Sequence, residues 1–111
     1  MKPGIVDPGR FRTELTLERV VPVPDGMGGY GEDWQEIATL MARIEPVRAS
    51  SRPGADQALE TVTHRVTIRA RAGVEAGMRF ARAGRTFAIA TVHDPDETGR
   101  YLVCETREGR P

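Results

Sequence analysis

The sequence predicts an all-β fold: a small β-barrel of about six mostly antiparallel strands with one long loop, which has room for a short helix. Two observations carry this. Apolar residues recur at every second position in several segments, and those segments are short and separated by Gly, Pro and Asp turns. A chain of 111 residues suits one domain with one modest core.

Residues 1–10 contain Pro3, Gly4, Pro8 and Gly9 and read as an irregular N-terminal arm. The barrel domain is expected over 11–107, with a C-terminal tail at 108–111. From Phe11 the period is two: Phe11, Thr13, Leu15 and Leu17 face one way, Arg12, Glu14, Thr16 and Glu18 the other. Pro22 and Pro24 are expected to end this strand, because neither donates to a ladder.

The clearest strand is "TVTHRVTIRAR", 61–71. Val62, His64, Val66, Ile68 and Ala70 share a face opposite Thr63, Arg65, Thr67, Arg69 and Arg71. Short strands follow at 78–82, 86–92 and 100–106, with turns at 73–77, around Gly84, and at "HDPDETG", 93–99. Two segments stay open on periodicity. "WQEIATLMARIEPV" fits a helix through Trp34, Ile37, Met41 and Ile44, and equally a strand through Ala38, Leu40, Ala42 and Ile44. Residues 48–60 are polar and broken by Pro53 and Gly54, long for a loop in so small a domain.

Sixteen basic and 16 acidic side chains cancel, so no global field draws the chain to nucleic acid or to an anionic membrane. Lys2 is the only lysine. Arginine suits protein interfaces as well as phosphates, and a GC-rich genome would give the same bias. Cys104 is alone, which rules out an intrachain disulfide and a multi-cysteine zinc site. "MKPGIVDPGRF" lacks a signal-peptide core, and no apolar run approaches the ~18 residues of a membrane span. A soluble chain is expected.

"DGMGGYGEDW" holds a G-x-G-x-x-G at Gly26, Gly28 and Gly31. A dinucleotide site needs a parallel β-α-β unit, and Glu32 and Asp33 would repel a pyrophosphate. A glycine-rich turn between strands is the expected reading. His93, Asp94, Asp96 and Glu97 are metal-ligand types, but the same residues make a solvated, self-capped turn. Ser50 and Ser51 lack a nucleophile-elbow context. Cys104 alternates with Leu102 as a small buried thiol. His64, on the apolar face of its strand, reads as a core histidine. No catalytic, cofactor-binding or metal residue is assigned, and the chain is read as no enzyme.

In order and spacing, "FRTELTLER", "GGYGEDW", "ARIEPV", "THRVTIRARAGVEAGMRF" and "GRTFAIATVHDPDETGRYLVCE" resemble the phage head–tail joining (head closure, or stopper) family of tailed phages, prophages and gene transfer agents. The likeness runs from Phe11 to Glu105. Met41 stands where relatives often have an aromatic, and "ASSRPGAD" matches their middle segment weakly. The resemblance implies a barrel protomer in a homo-oligomeric ring of about six or twelve copies. That ring would sit below the portal or adaptor, retain packaged DNA by non-specific contact, and dock a tail terminator or tail tube protein. It implies a place in the neck of a virion or phage-like particle, after synthesis in the bacterial cytoplasm, with no membrane partner. It also makes 36–47 a strand.

Two surfaces are then expected to matter. In the long loop, Arg48, Ser50, Ser51, Arg52 and Asp56 would face the ring's channel. Arg65, Arg69 and Arg71 would meet acidic turns such as Asp94, Asp96 and Glu97 of a neighbouring copy. The alternative is a small β-barrel nucleic-acid-binding module using the same arginine row; against it, the row has no interleaved aromatic platform. A metal-dependent enzyme built on His93, Asp94 and Asp96 is the third reading.

Overall fold

The computed structural model describes residues 11–47 and 61–109. Six strands follow one another: β1 (Thr13–Pro24), β2 (Tyr30–Pro46), β3 (His64–Arg69), β4 (Arg79–Arg82), β5 (Arg85–His93) and β6 (Tyr101–Glu108). They close into an antiparallel barrel in the order β1-β2-β3-β6-β5-β4. No described residue is helical.

The interior follows the period-two pattern. Leu15 and Leu17 of β1, Ala42 of β2, Val66 and Ile68 of β3, Phe80 of β4, Phe87 and Ile89 of β5 and Cys104 of β6 form one buried cluster, with Met78 beneath them. Two bulges alter the pattern. In β2 the partners step from Leu17↔Ala38 to Glu18↔Glu36, leaving Ile37 as the extra residue. Ile37 therefore packs on the core together with Leu40 and Ile44, which have the opposite parity. This is why the segment fits two periods at once. In β5 the ladder shifts between Ile89 and Thr91, and inward packing passes from Ile89 to Val92.

Pro22 and Pro24 do not end β1. The ladder continues through Pro22↔Glu32 and Pro24↔Tyr30. Beyond Glu18, β1 is paired only with β2, because β4 reaches only Thr16–Glu18. Residues two apart present their nitrogens to the same edge, so both prolines aim at the unpaired side, where no donor is required. Residues 19–24 and 30–35 thus run past the barrel as a two-stranded ribbon. The β3 strand is shorter than the alternating pattern at 61–71, but its flanks stay bonded: Thr63 N–H donates to Thr106 O at 2.9 Å and Ala70 N–H to Arg100 O at 2.8 Å. At the other end, β6 includes Glu108, the first residue of the expected tail.

Closure between β1 and β4 rests on three register pairs, from Thr16↔Ala81 to Glu18↔Arg79. Side chains reinforce that seam. Arg79 donates to Glu18 at 2.6 Å and lies over the Trp34 ring at 3.9 Å. The ion pair is largely shielded and stacked, which favours it over an exposed pair.

The β4–β5 hairpin turns on Ala83 (φ 49°) and Gly84 (φ 81°). Two positive φ values match the twist of the flanking strands, but alanine is strained there and asparagine is not. Ala83→Asn is expected to raise stability by about 0.5–1 kcal/mol in urea unfolding. A loss of stability would contradict this turn geometry.

Candidate functional site

The glycine motif lies at the tip of the β1–β2 ribbon. Asp25 folds it: its carboxylate accepts from Met27 N–H at 2.7 Å and Gly29 N–H at 3.1 Å, while Asp25 N–H donates to Gly29 O. Gly26 and Gly28 have φ near 80°, at 79° and 84°. The glycines therefore connect antiparallel strands, and the backbone amides that could have cradled a phosphate are turned onto a carboxylate. The tip leaves large apolar groups in solvent, with Met27 89% and Tyr30 73% exposed. Sequence reasoning missed this feature. No sequence signal separates Met27 and Tyr30 from core residues, because only the projecting ribbon leaves them in water.

The arginine row is exposed, but its face of β3 is not wholly open: Thr67, between Arg65 and Arg69, is buried at 4%. Arg65 and Arg69 are exposed on the outer face of β3, opposite buried Val66 and Ile68, and exposed Arg71 follows the strand. Cross-strand neighbours of Arg65 are Glu45 and Glu105. Glu45 is engaged by Arg43 at 3.1 Å, and Glu105 accepts from the Thr91 hydroxyl at 2.9 Å. The acidic turn sits at the barrel end where Arg69 pairs with Tyr101 and Ala70 bonds Arg100. Arg69 and Arg71 therefore share an end with Asp94, Asp96 and Glu97, and Arg65 lies toward the other end.

That turn is folded by its own carboxylates. Asp94 accepts from the N–H groups of Asp96, Glu97 and Gly99, the last at 2.6 Å, and Asp96 accepts from Thr98. Partial desolvation would push the Asp94 carboxyl up, but the Gly99, Asp96 and Glu97 bonds outweigh it and hold it below the ordinary value. No group of three or more metal-ligating side chains is gathered among the described residues.

His64 lies edge-on to the core ring of Phe87, with centroids 5.1 Å apart, and its Nδ1 is 3.0 Å from the Thr63 hydroxyl. Cys104 is buried, and burial pushes its thiol up to about 12. It should stay unmodified by a thiol reagent in the native protein and react fully on unfolding. Rapid native labelling would contradict this packing. Arg48, Ser50, Ser51, Arg52 and Asp56, and the arm at 1–10, lie outside the described residues.

What the fold offers, then, is a filled barrel with projecting turns and charged outer faces. A family model described as phage head completion protein matches residues 6–109, and the chain belongs to that family. It is a structural protein of the phage-type particle and not an enzyme. It is 30% identical to a protein of the native gene transfer agent virion, covering 88% of this chain and 94% of that one with a TM-score of 0.66. It is also 30% identical to protein SF1141 from Shigella flexneri 2a, covering 94% and 97%, with a TM-score of 0.68. Among curated proteins none matches significantly. No described helix is long and apolar enough to cross a membrane.

Proposed function

We propose that this protein closes the filled head as a homo-oligomeric ring below the portal or adaptor, retaining packaged DNA and receiving the tail terminator or tube. The observation that carries the reading is the family match over nearly the whole chain, joined to the likeness to a protein found inside an assembled virion. A barrel with a filled core suits the role, since it is a rigid body whose outer faces and turns are free to make contacts.

Subunits meet head to tail, the arrangement that closes into a ring. The Arg65, Arg69 and Arg71 face meets acidic side chains of the next copy, with Asp94, Asp96 and Glu97 among those available. Exposed pairs each contribute about 0–1 kcal/mol, so free protein at low concentration is monomeric and the ring forms where copies are held together. The channel side is the 48–60 loop, whose Arg48 and Arg52, repeated in every subunit, form a positive collar. Holding a DNA end needs only phosphate contacts, without base reading.

Reversing Arg65 and Arg69 to glutamate tests the interface. The barrel should fold, losing up to about 1 kcal/mol from repulsion by Glu45 and Glu105 across the strands. Heads should fill, and tail joining should drop at least tenfold. Tail joining at the normal level would remove these arginines from the interface.

A further inference from the structure

The β1–β2 tip exposes apolar side chains among acidic ones, and a notch on the barrel flank is apolar with a basic rim. The notch has a volume of about 460 Å³, within the range that takes a drug-sized molecule or a large side chain with part of its turn. Phe11, Leu40, Ile68 and Ala70 form its apolar wall, and exposed Arg69 and Arg71 form its rim. It opens where β3 ends beside β2, since β3 pairs only with Ala42–Pro46 and leaves the earlier part of β2 with β1 alone. The tip has the opposite character. Met27 and Tyr30 stand in solvent, 89% and 73% exposed. Residues 20–34 contain Asp25, Glu32 and Asp33 and no basic side chain.

A chain cannot bring these two surfaces together by itself. Tyr30 and Leu40 lie on the same strand, ten residues apart, which at strand rise separates them by roughly 33 Å. The geometry points to a contact between copies: the Met27/Tyr30 tip of one protomer seats in the Phe11/Leu40/Ile68/Ala70 notch of the next, with Glu32, which shares Tyr30's face of the ribbon, toward Arg69 and Arg71. Each protomer offers one tip and one notch on different parts of its surface, so the contact is heterologous and repeats around a ring. An apolar anchor in a pocket with a charged rim is the anatomy of a specific interface. Pro22 and Pro24 keep the tip's β1 edge from pairing with another strand, which leaves side-chain docking as its mode of contact. This inference rests on the ring reading and names its interface.

Disulfide trapping in assembled particles tests it. Full-length protein carrying Met27→Cys with Ala70→Cys is built into particles, which are mildly oxidised and run on a non-reducing gel. Buried Cys104 does not compete. A ladder of covalent multimers is expected, with each single-cysteine variant monomeric. Should that pair fail to assemble, Tyr30→Cys with Arg71→Cys reads the same contact. Monomer alone, in particles that contain the protein in normal amount, overturns the tip-in-notch contact and leaves the ring reading standing. Dimers from Met27→Cys alone would mean that tips meet tips. Monomeric intrachain linkage of Val6→Cys to Ala70→Cys would make residues 2–10 of the same chain the occupant. Either result overturns the proposal. Particles that lack the protein altogether overturn both readings.

Discussion

Phe80→Ala is expected to destabilise the barrel by about 3–5 kcal/mol and to lower its melting temperature by roughly 10–25 °C. Phe80 is fully buried and stands where the barrel closes, opposite Leu17 across the β1–β4 seam and opposite Phe87 across β4–β5. Removing its ring deletes buried apolar surface and leaves a cavity between elements held by only a few ladder pairs. The neighbours have little freedom to collapse into it, because the Glu18–Arg79–Trp34 stack fixes the outside of the same seam. A domain of this size has about 5–15 kcal/mol in total, so the variant should sit near the edge of folding. Phe80→Leu, which keeps most of the volume, should cost less than about 1.5 kcal/mol. Calorimetry of the two variants checks this, and a cost below about 1 kcal/mol for the alanine would contradict closure through Phe80.

Deleting residues 50–57 should leave the barrel intact while filled heads lose DNA before tails attach. The ends of the connection are fixed outside the deletion, by the Val47 N–H bond to Thr63 O at 2.9 Å and the Thr63 N–H bond to Thr106 O. Loop closure changes by only about 0.6 kcal/mol for each twofold change in length, so folding should be nearly unaffected. The deletion removes Arg52 and shortens the connection that carries Arg48. In a ring that loss is repeated in every copy, and phosphate contacts weaken together. The readout is DNA retained per particle after nuclease challenge. Full retention with normal tail joining would show that this loop does not hold the DNA end.

The strands were legible where one residue in two is apolar. In "TVTHRVTIRAR" a helix would scatter Val66 and Ile68 from each other's face, and the alternation puts both in the core. The helix-or-strand ambiguity at 34–47 has a physical origin in the Ile37 bulge, which inserts a residue and makes the inward set change parity. A local pattern cannot reveal that shift, because it is set by the partner strand. Pro22 and Pro24 misled for a related reason. A proline excludes a strand interior but not a free edge, and which edge is free depends on where β4 stops. Among the candidate site residues, the exposure of Arg65 and Arg69 agrees with their parity, whereas Thr67 of the same parity is buried and Arg71 lies beyond the strand. The self-capping of Asp94 could be read from its turn chemistry. The tip could not, because Met27 and Tyr30 resemble core residues in composition and only the projecting ribbon leaves them in water.

Reconstruction of the neck of purified particles by electron cryomicroscopy, with the sixfold and twelvefold rings resolved, tests the central claim most directly. The account predicts a ring of this barrel between the portal or adaptor and the tail, with the 48–60 connection of every copy directed at the DNA end. Density for the barrel elsewhere in the particle, or a neck at full occupancy without it, would contradict the head-closure role.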